Sequence, residues 1–335
     1  MIMNSMSIAA GMLARSTAFA PFSRRFFARR ANIIYYHGVW RKPSTSFGNF
    51  GGVTVDAFER DMKLLCEFFR PVSLKQMVEL NARGQAGDEP MVAVTFDDGC
   101  DLTRSGATDV LDRLGIPATT FVVLDCIGNR RLMWHHMFSA VRAMRGDELF
   151  LRQFRRLANS IGPATEVASI RKYVAVTRTW PMSRKDEYAT ELWQACDMPP
   201  VDEFLAAERP YVTWDDLDDW RRRGHAVGLH TRTHPFCSQL DGPGIAEEIT
   251  DAAKALTARL GVHAVPFAYP FGDRLSDLHA NRVLAEAPIS CLVGIDGPRP
   301  LGTAPHRLGR SRGETDLNVS VFSKPIADAV RRSLN

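Results

Sequence analysis

The sequence predicts an α/β fold: a distorted (β/α) barrel of seven or eight units, with a helical insertion. Three observations carry that reading. Short apolar runs alternate with longer amphipathic ones, the signature of parallel strands with helices outside. Glycine or proline closes most of the amphipathic runs, as helix ends require. From about residue 130 to 209 the rhythm stops, and no run there reads as a strand.

The strands read in order are Ile33–Val39, Val92–Asp97, Thr119–Leu124, Ala226–His230, Pro266–Tyr269, Ile289–Ile295 and Arg307–Arg310. Between them, Val55–Phe69 spaces Phe58, Met62, Leu65 and Phe69 along one helical face. Ser73 is placed to cap the next helix. Thr103–Leu114 ends at Gly115, with Pro117 restarting an extended chain; Trp214–Arg223 ends at Gly224 and Gly244–Leu260 at Gly261. Seven or eight such units close into a barrel, which gathers chemistry at the C-terminal ends of its strands.

At 335 residues and 45% apolar composition the chain is long for one domain but suits a barrel carrying an insertion. No stretch approaches the ~18–20 apolar residues of a membrane-spanning helix. The six cysteines form no CxxC pair, which argues against a zinc knuckle and a disulfide framework and favours a reduced, cytoplasmic setting. Residues 1–31 hold five arginines and no acid, so the net charge of +4 leaves about −1 for the rest. This segment reads either as an amphipathic surface piece for an anionic membrane or as a frayed tail ahead of a domain spanning 32–335. Residues 130–185 hold twelve Lys or Arg against three acids. A solvated face is the ordinary meaning of such a run; a polyanionic partner is the sharper one.

"AVTFDDGCD" places Asp97 and Asp98 side by side at a strand end. Paired acids are tolerable where a cation neutralises one of them. "GLHTRTHP", at another strand end, offers His230 and His234 four residues apart, a spacing that puts both imidazoles on one side of a helical turn. With Asp98 they make three ligands for a divalent ion, zinc by preference, and leave a position open for water, as catalytic sites do. Asp97, beside the ion, is then the general base. Each half of this pattern is weak alone; the two in this order and context are specific. His135 and His136 in "MWHHMF" read as packing or surface residues, and Cys100 lacks a histidine–acid pair to activate it.

"TFDDG" and "HTRTHP" resemble the first two motifs of the polysaccharide deacetylases, carbohydrate esterase family 4, with its NodB-homology barrel. "ANIIYYHGVW", "YVTWDDLDDWRRRGHAVGLHTRTHP" and "PFAYPFGD" extend the resemblance over most of residues 32–312 outside the insertion. It implies a metal-dependent hydrolase that removes N- or O-acetyl groups from sugars. It carries the base role to Asp97 and the ligand roles to Asp98, His230 and His234. It makes Tyr269 a candidate through the oxyanion-binding backbone N–H of its loop. Ala268 stands where the family often has the arginine that orients the base, and Arg310 resembles a last-strand arginine able to take over that role. The family's C-terminal Leu-x-His has no counterpart, since His306 does not fit the spacing. His37, at the end of the first strand and so on the same barrel face, becomes the candidate general acid, against a structural role at the barrel mouth.

The expected substrate is an N-acetylated sugar of a surface glycan or its precursor, acted on in the cytoplasm or at the inner face of a membrane, with no nucleic-acid partner. Two other classes stay open: a catalytically silent glycan-binding module, and a metal hydrolase acting on another C–N bond. A phosphoesterase would want a second metal, and no second ligand cluster is apparent.

Overall fold

Seven parallel strands stand in chain order in one sheet: β1 (Arg30–Tyr36), β2 (Met91–Phe96), β3 (Ala118–Val122), β4 (Ala226–Leu229), β5 (Val265–Ala268), β6 (Ile289–Gly294) and β7 (Arg307–Gly309). The structure is a computed structural model that describes residues 20–42, 52–84, 87–162 and 173–328. The ring shuts through β8 (Ser311–Arg312), which pairs parallel with β1 at Ile34↔Ser311 and Tyr35↔Arg312. Arg310 alone separates β7 from β8, so it sits at the closing seam. The predicted strands match these within a few residues at each end.

The alternation of side chains along the strands sorts two cores. Ala31, Ile33, Ala93, Phe121, Ala268, Cys291, Val293 and Leu308 form a buried cluster inside the barrel. Phe121 fills so much of it that a Cβ on the neighbouring Gly228 would come within 2.5 Å of the ring. The alternate residues, among them Ile34, Val94, Phe96 and Leu229, face the helices. Those helices are α1 (Ala20–Ala28), α2 (Val55–Phe68), α3 (Leu74–Arg83) and α4 (Ala107–Leu114) in the first half of the chain. Ser73 makes a capping box with Gln76 at the start of α3, as its position predicts. Gly106, at φ 85°, breaks the expected helix 103–114 so that only its second part is continuous.

The insertion is helical, with α5 (Trp134–Arg145), α6 (Asp147–Ile161), α7 (Lys185–Ala195) and α8 (Val201–Glu208). It has its own buried cluster around Phe138, Phe150, Phe154, Trp180 and Trp193, joined to the barrel through Val123, Tyr211 and Phe236. The second half of the barrel adds α9 (Trp214–Arg222), α10 (Ala252–Leu260) and α11 (Asp277–Glu286). Residues 246–251, expected as ordinary helix, run as π-helix ahead of α10.

Two expectations about charge change. Part of the basic N-terminal segment is packed into the protein: Phe27 on α1 lies edge-on to Phe68, Phe69 and Phe322, at 5.8, 5.5 and 6.0 Å. Arg30 and Ala31 already belong to β1, so no boundary falls at residue 31. Residues 1–19, with Arg15, lie outside the described residues. In the 130–185 segment Arg131 pairs with Asp186, Arg142 with Asp147, Arg178 with Asp273 and Arg184 with Glu187. Much of its positive charge is matched locally. Arg171, Lys172 and Glu166 of that segment lie outside the described residues.

Candidate active site

The chain leaves β2 with Asp97 on the inward face, two residues after Thr95. Asp98 then adopts φ 69°, a left-handed turn that strand alternation does not govern. This is how two adjacent acids reach one site. Arg310, fully buried at the seam, meets Asp97 with both terminal nitrogens, Nη1 to Oδ1 at 2.6 Å and Nη2 to Oδ2 at 2.8 Å. A planar guanidinium held this way fixes the carboxylate plane. Burial opposes a charge on Asp97, but Arg310 and then His230 outweigh it and hold the carboxyl below its usual range.

His230 and His234 do not share a helical turn, contrary to the spacing argument. They flank an irregular loop in which Thr231 and His234 take φ 67° and 65°. The loop is held from several sides. Glu248, in the π-helical stretch, accepts the N–H groups of Arg232 and Thr233 at 3.1 and 2.8 Å. Lys185 of α7 donates to Thr233 Oγ1 at 2.7 Å. Trp134 of α5 donates its indole N–H to the His234 carbonyl at 2.8 Å. His230 Nδ1 lies 2.8 Å from the Ala268 carbonyl, which assigns its proton to Nδ1 and leaves Nε2 as a free lone pair. His230 Nε2 and His234 Nε2 stand 3.5 and 3.3 Å from Asp98 Oδ1.

Sequence reasoning missed His135 and His136, which α5 of the insertion carries into the site rather than into packing or solvent. His136 Nε2 lies 3.3 Å from Asp98 Oδ2 and His135 Nε2 lies 3.9 Å from it. Tyr211 Oη accepts the Met133 N–H at 3.1 Å and lies 2.8 Å from His136 Nδ1; donation there would leave the Nε2 proton of His136 facing Asp98. Burial opposes a charge on Asp98, yet the imidazoles of His136 and His234 keep it well below the usual carboxylate range. Burial pushes His230 and His135 down and His234 down to about 4, so all three are neutral near pH 7, the form that binds metal. The donor set fits a divalent ion. Asp98, His135 and His234 bring one ligand atom each within 4.8 Å of one another, and Asp98 Oδ1 and His234 Nδ1 are buried with no hydrogen-bond partner.

His37 opens onto the same cavity of about 650 Å³, with Asp97, Asp98, His230 and Tyr269. Its Nδ1 lies 2.8 and 3.0 Å from the two oxygens of Glu314, a buried carboxylate just past the barrel seam. Burial alone would lower the imidazole, but Glu314 reverses that and raises it to about 9. No motif or spacing in the sequence singles out Glu314. Tyr269 needs correction: its backbone N–H donates to the Val293 carbonyl at 3.1 Å within the sheet, so it is spent. Its ring packs edge-on to Phe267 in the cluster facing the helices, where burial raises the phenol. Cys100 is buried, with its thiol pushed well up by burial.

Residues 178–289 match the family model described as Polysaccharide deacetylase, a stretch that includes His230, His234 and Tyr269. No protein of curated function matches the sequence. Among solved structures, the chain is similar to the Streptococcus pyogenes deacetylase PplD in complex with acetate, at 15% identity and TM-score 0.53, over 84% of this chain and 92% of that one. It is also similar to IcaB from Ammonifex degensii, at 18% identity and TM-score 0.52, over 83% and 90%. At these identities the likeness is one of fold. The segment bearing both loop histidines thus matches the polysaccharide deacetylase model, and the barrel around it shares its fold with solved deacetylases.

Proposed function

We propose that the protein is a divalent-metal-dependent hydrolase, zinc by preference, that removes an acetyl group from an N-acetylated sugar of a glycan or glycan precursor. The observation that carries this is the pairing of two unlike acids in one cavity. Asp97 is clamped by Arg310, while Asp98 faces His230 and His234. A divalent ion held by Asp98, His230 and His234 would supply Lewis acidity toward the acyl carbonyl and lower the pKa of a coordinated water.

The remaining chemistry belongs to the chain's own groups. Asp97, ionised and fixed in plane, accepts the proton of the attacking water. His37, kept protonated by Glu314, donates to the departing amine. A silent binding module would have no use for a buried Arg310–Asp97 clamp beside a metal-fit donor set. The reading also places the protein in the cytoplasm, peripheral to the inner face of a membrane. Six free cysteines and the five arginines of residues 1–31 support this. Binding to anionic but not neutral vesicles, lost as salt rises, is the check on the membrane part.

The test of function is acetate release from lipid-linked, nucleotide-linked and polymeric N-acetyl sugars, with and without a chelator. Release that the chelator abolishes and zinc restores is expected. Release that survives full metal removal would overturn the metal-dependent reading.

A further inference from the structure

The insertion enters the site at one residue whose chemistry the proposed reaction leaves unused. His135 lies on α5, outside the barrel, yet its ring stacks on His234 with centroids 4.3 Å apart at 26°. Its Nδ1 is buried and has no hydrogen-bond partner. Seven buried side-chain polar atoms among the described residues lack a partner, and three of them, Asp98 Oδ1, His135 Nδ1 and His234 Nδ1, belong to this one cluster. Buried polar atoms left without a partner are unfavourable, so three in one cluster mark a place that a bound group would complete. The same three residues are the ones whose donor atoms come within 4.8 Å of each other.

His136, next to it, has a different task. Its Nδ1 is taken by Tyr211 and its Nε2 faces Asp98 Oδ2, so it steadies the carboxylate from behind. His135 has no such partner and faces the open side.

Resting on the metal-dependent reading above, we infer that His135 is a ligand to the metal, so that the helical insertion completes a centre of Asp98, His135, His230 and His234. Four protein ligands leave room for a water when the ion expands to five-coordination, which zinc does. The insertion is then part of the metal centre and not a lid appended to a finished one.

X-ray absorption of the zinc-loaded, full-length wild-type protein counts imidazoles on the ion directly. Three are expected; two would overturn the inference while leaving the metal reading intact. Zinc competition against a chromophoric chelator gives the second readout. His135→Ala and His135→Gln should each weaken zinc at least about tenfold, with the far-ultraviolet dichroism unchanged. His306→Ala, at an exposed histidine outside the site, should bind as wild type. Equal zinc affinity in wild type and both His135 variants would also sink the inference. Failure of wild type to bind zinc at all would remove the metal reading and this ligand with it.

Discussion

The barrel and the insertion are built on different rules, and they expose their chemistry differently. In the barrel, each candidate group stands just past a strand: His37 after β1, Asp97 and Asp98 after β2, His230 after β4, Tyr269 after β5. Position along the chain therefore announces position in the site. In the insertion, α5 packs Trp134, Met137, Phe138 and Val141 into an aromatic core, and the same helix turns His135 and His136 toward Asp98. Nothing in the period of that helix separates a core residue from a site residue. A strand end declares function by location, whereas a helix face declares only burial.

The sharpest test of the barrel side is Asp97→Asn. It should lower kcat by about 10⁴-fold while zinc content stays that of wild type. Loss of the metal in this variant would mean the two acids have exchanged roles. Next, His37→Ala should lower kcat on an amide by about 10³-fold, with much less effect on an activated ester whose leaving group needs no proton. An equal loss on both would make His37 a structural residue.

On the insertion side, Phe154 is fully buried, stacked on Trp180 at 5.3 Å. Phe154→Ala should cost about 3–5 kcal/mol of stability, read as a shifted denaturant midpoint. If the insertion is part of the site, zinc affinity should fall along with it. Zinc binding untouched by a clearly loosened insertion would separate the two regions.

The smallest effect is the most diagnostic of sign. His37 is raised to about 9, and its burial would otherwise lower it, so Glu314 is what keeps it charged. An acid must be protonated to act, so kcat should fall as pH rises past about 9. Glu314→Gln removes the raising charge, and the alkaline limb should move to lower pH. Linkage has the same sign: the His37–Glu314 pair stabilises fully below the ordinary imidazole value and is lost as pH climbs through about 9. A limb that stays in place in Glu314→Gln would detach it from His37.

The strands were legible because alternation, apolar content and Gly/Pro stops all agree in them. The pairing of Asp97 with Arg310 followed only from the resemblance to a last-strand arginine, not from the strand pattern itself. What escaped has physical reasons. The HxxxH pair looks helical in one dimension, but Thr231 and His234 adopt left-handed backbone, which side-chain type does not signal. The Tyr269 N–H is consumed by the neighbouring strand, a register fact beyond the reach of a motif. Glu314 acts across 277 positions of chain, through a contact with His37 that exists only once the ring has closed.

That closure has a consequence in time. Chains emerge and fold from the N-terminal end, and β1 is made long before Ser311 and Arg312, its partners at the seam. Arg310 and Glu314 arrive with those last strands. Until they do, Asp97 has no guanidinium to hold it and His37 no carboxylate to keep it charged. On the proposed function, a nascent or C-terminally clipped chain would hold Asp98, His230 and His234 without these two partners, and the final stretch of the barrel would serve as the molecule's own certificate of completion.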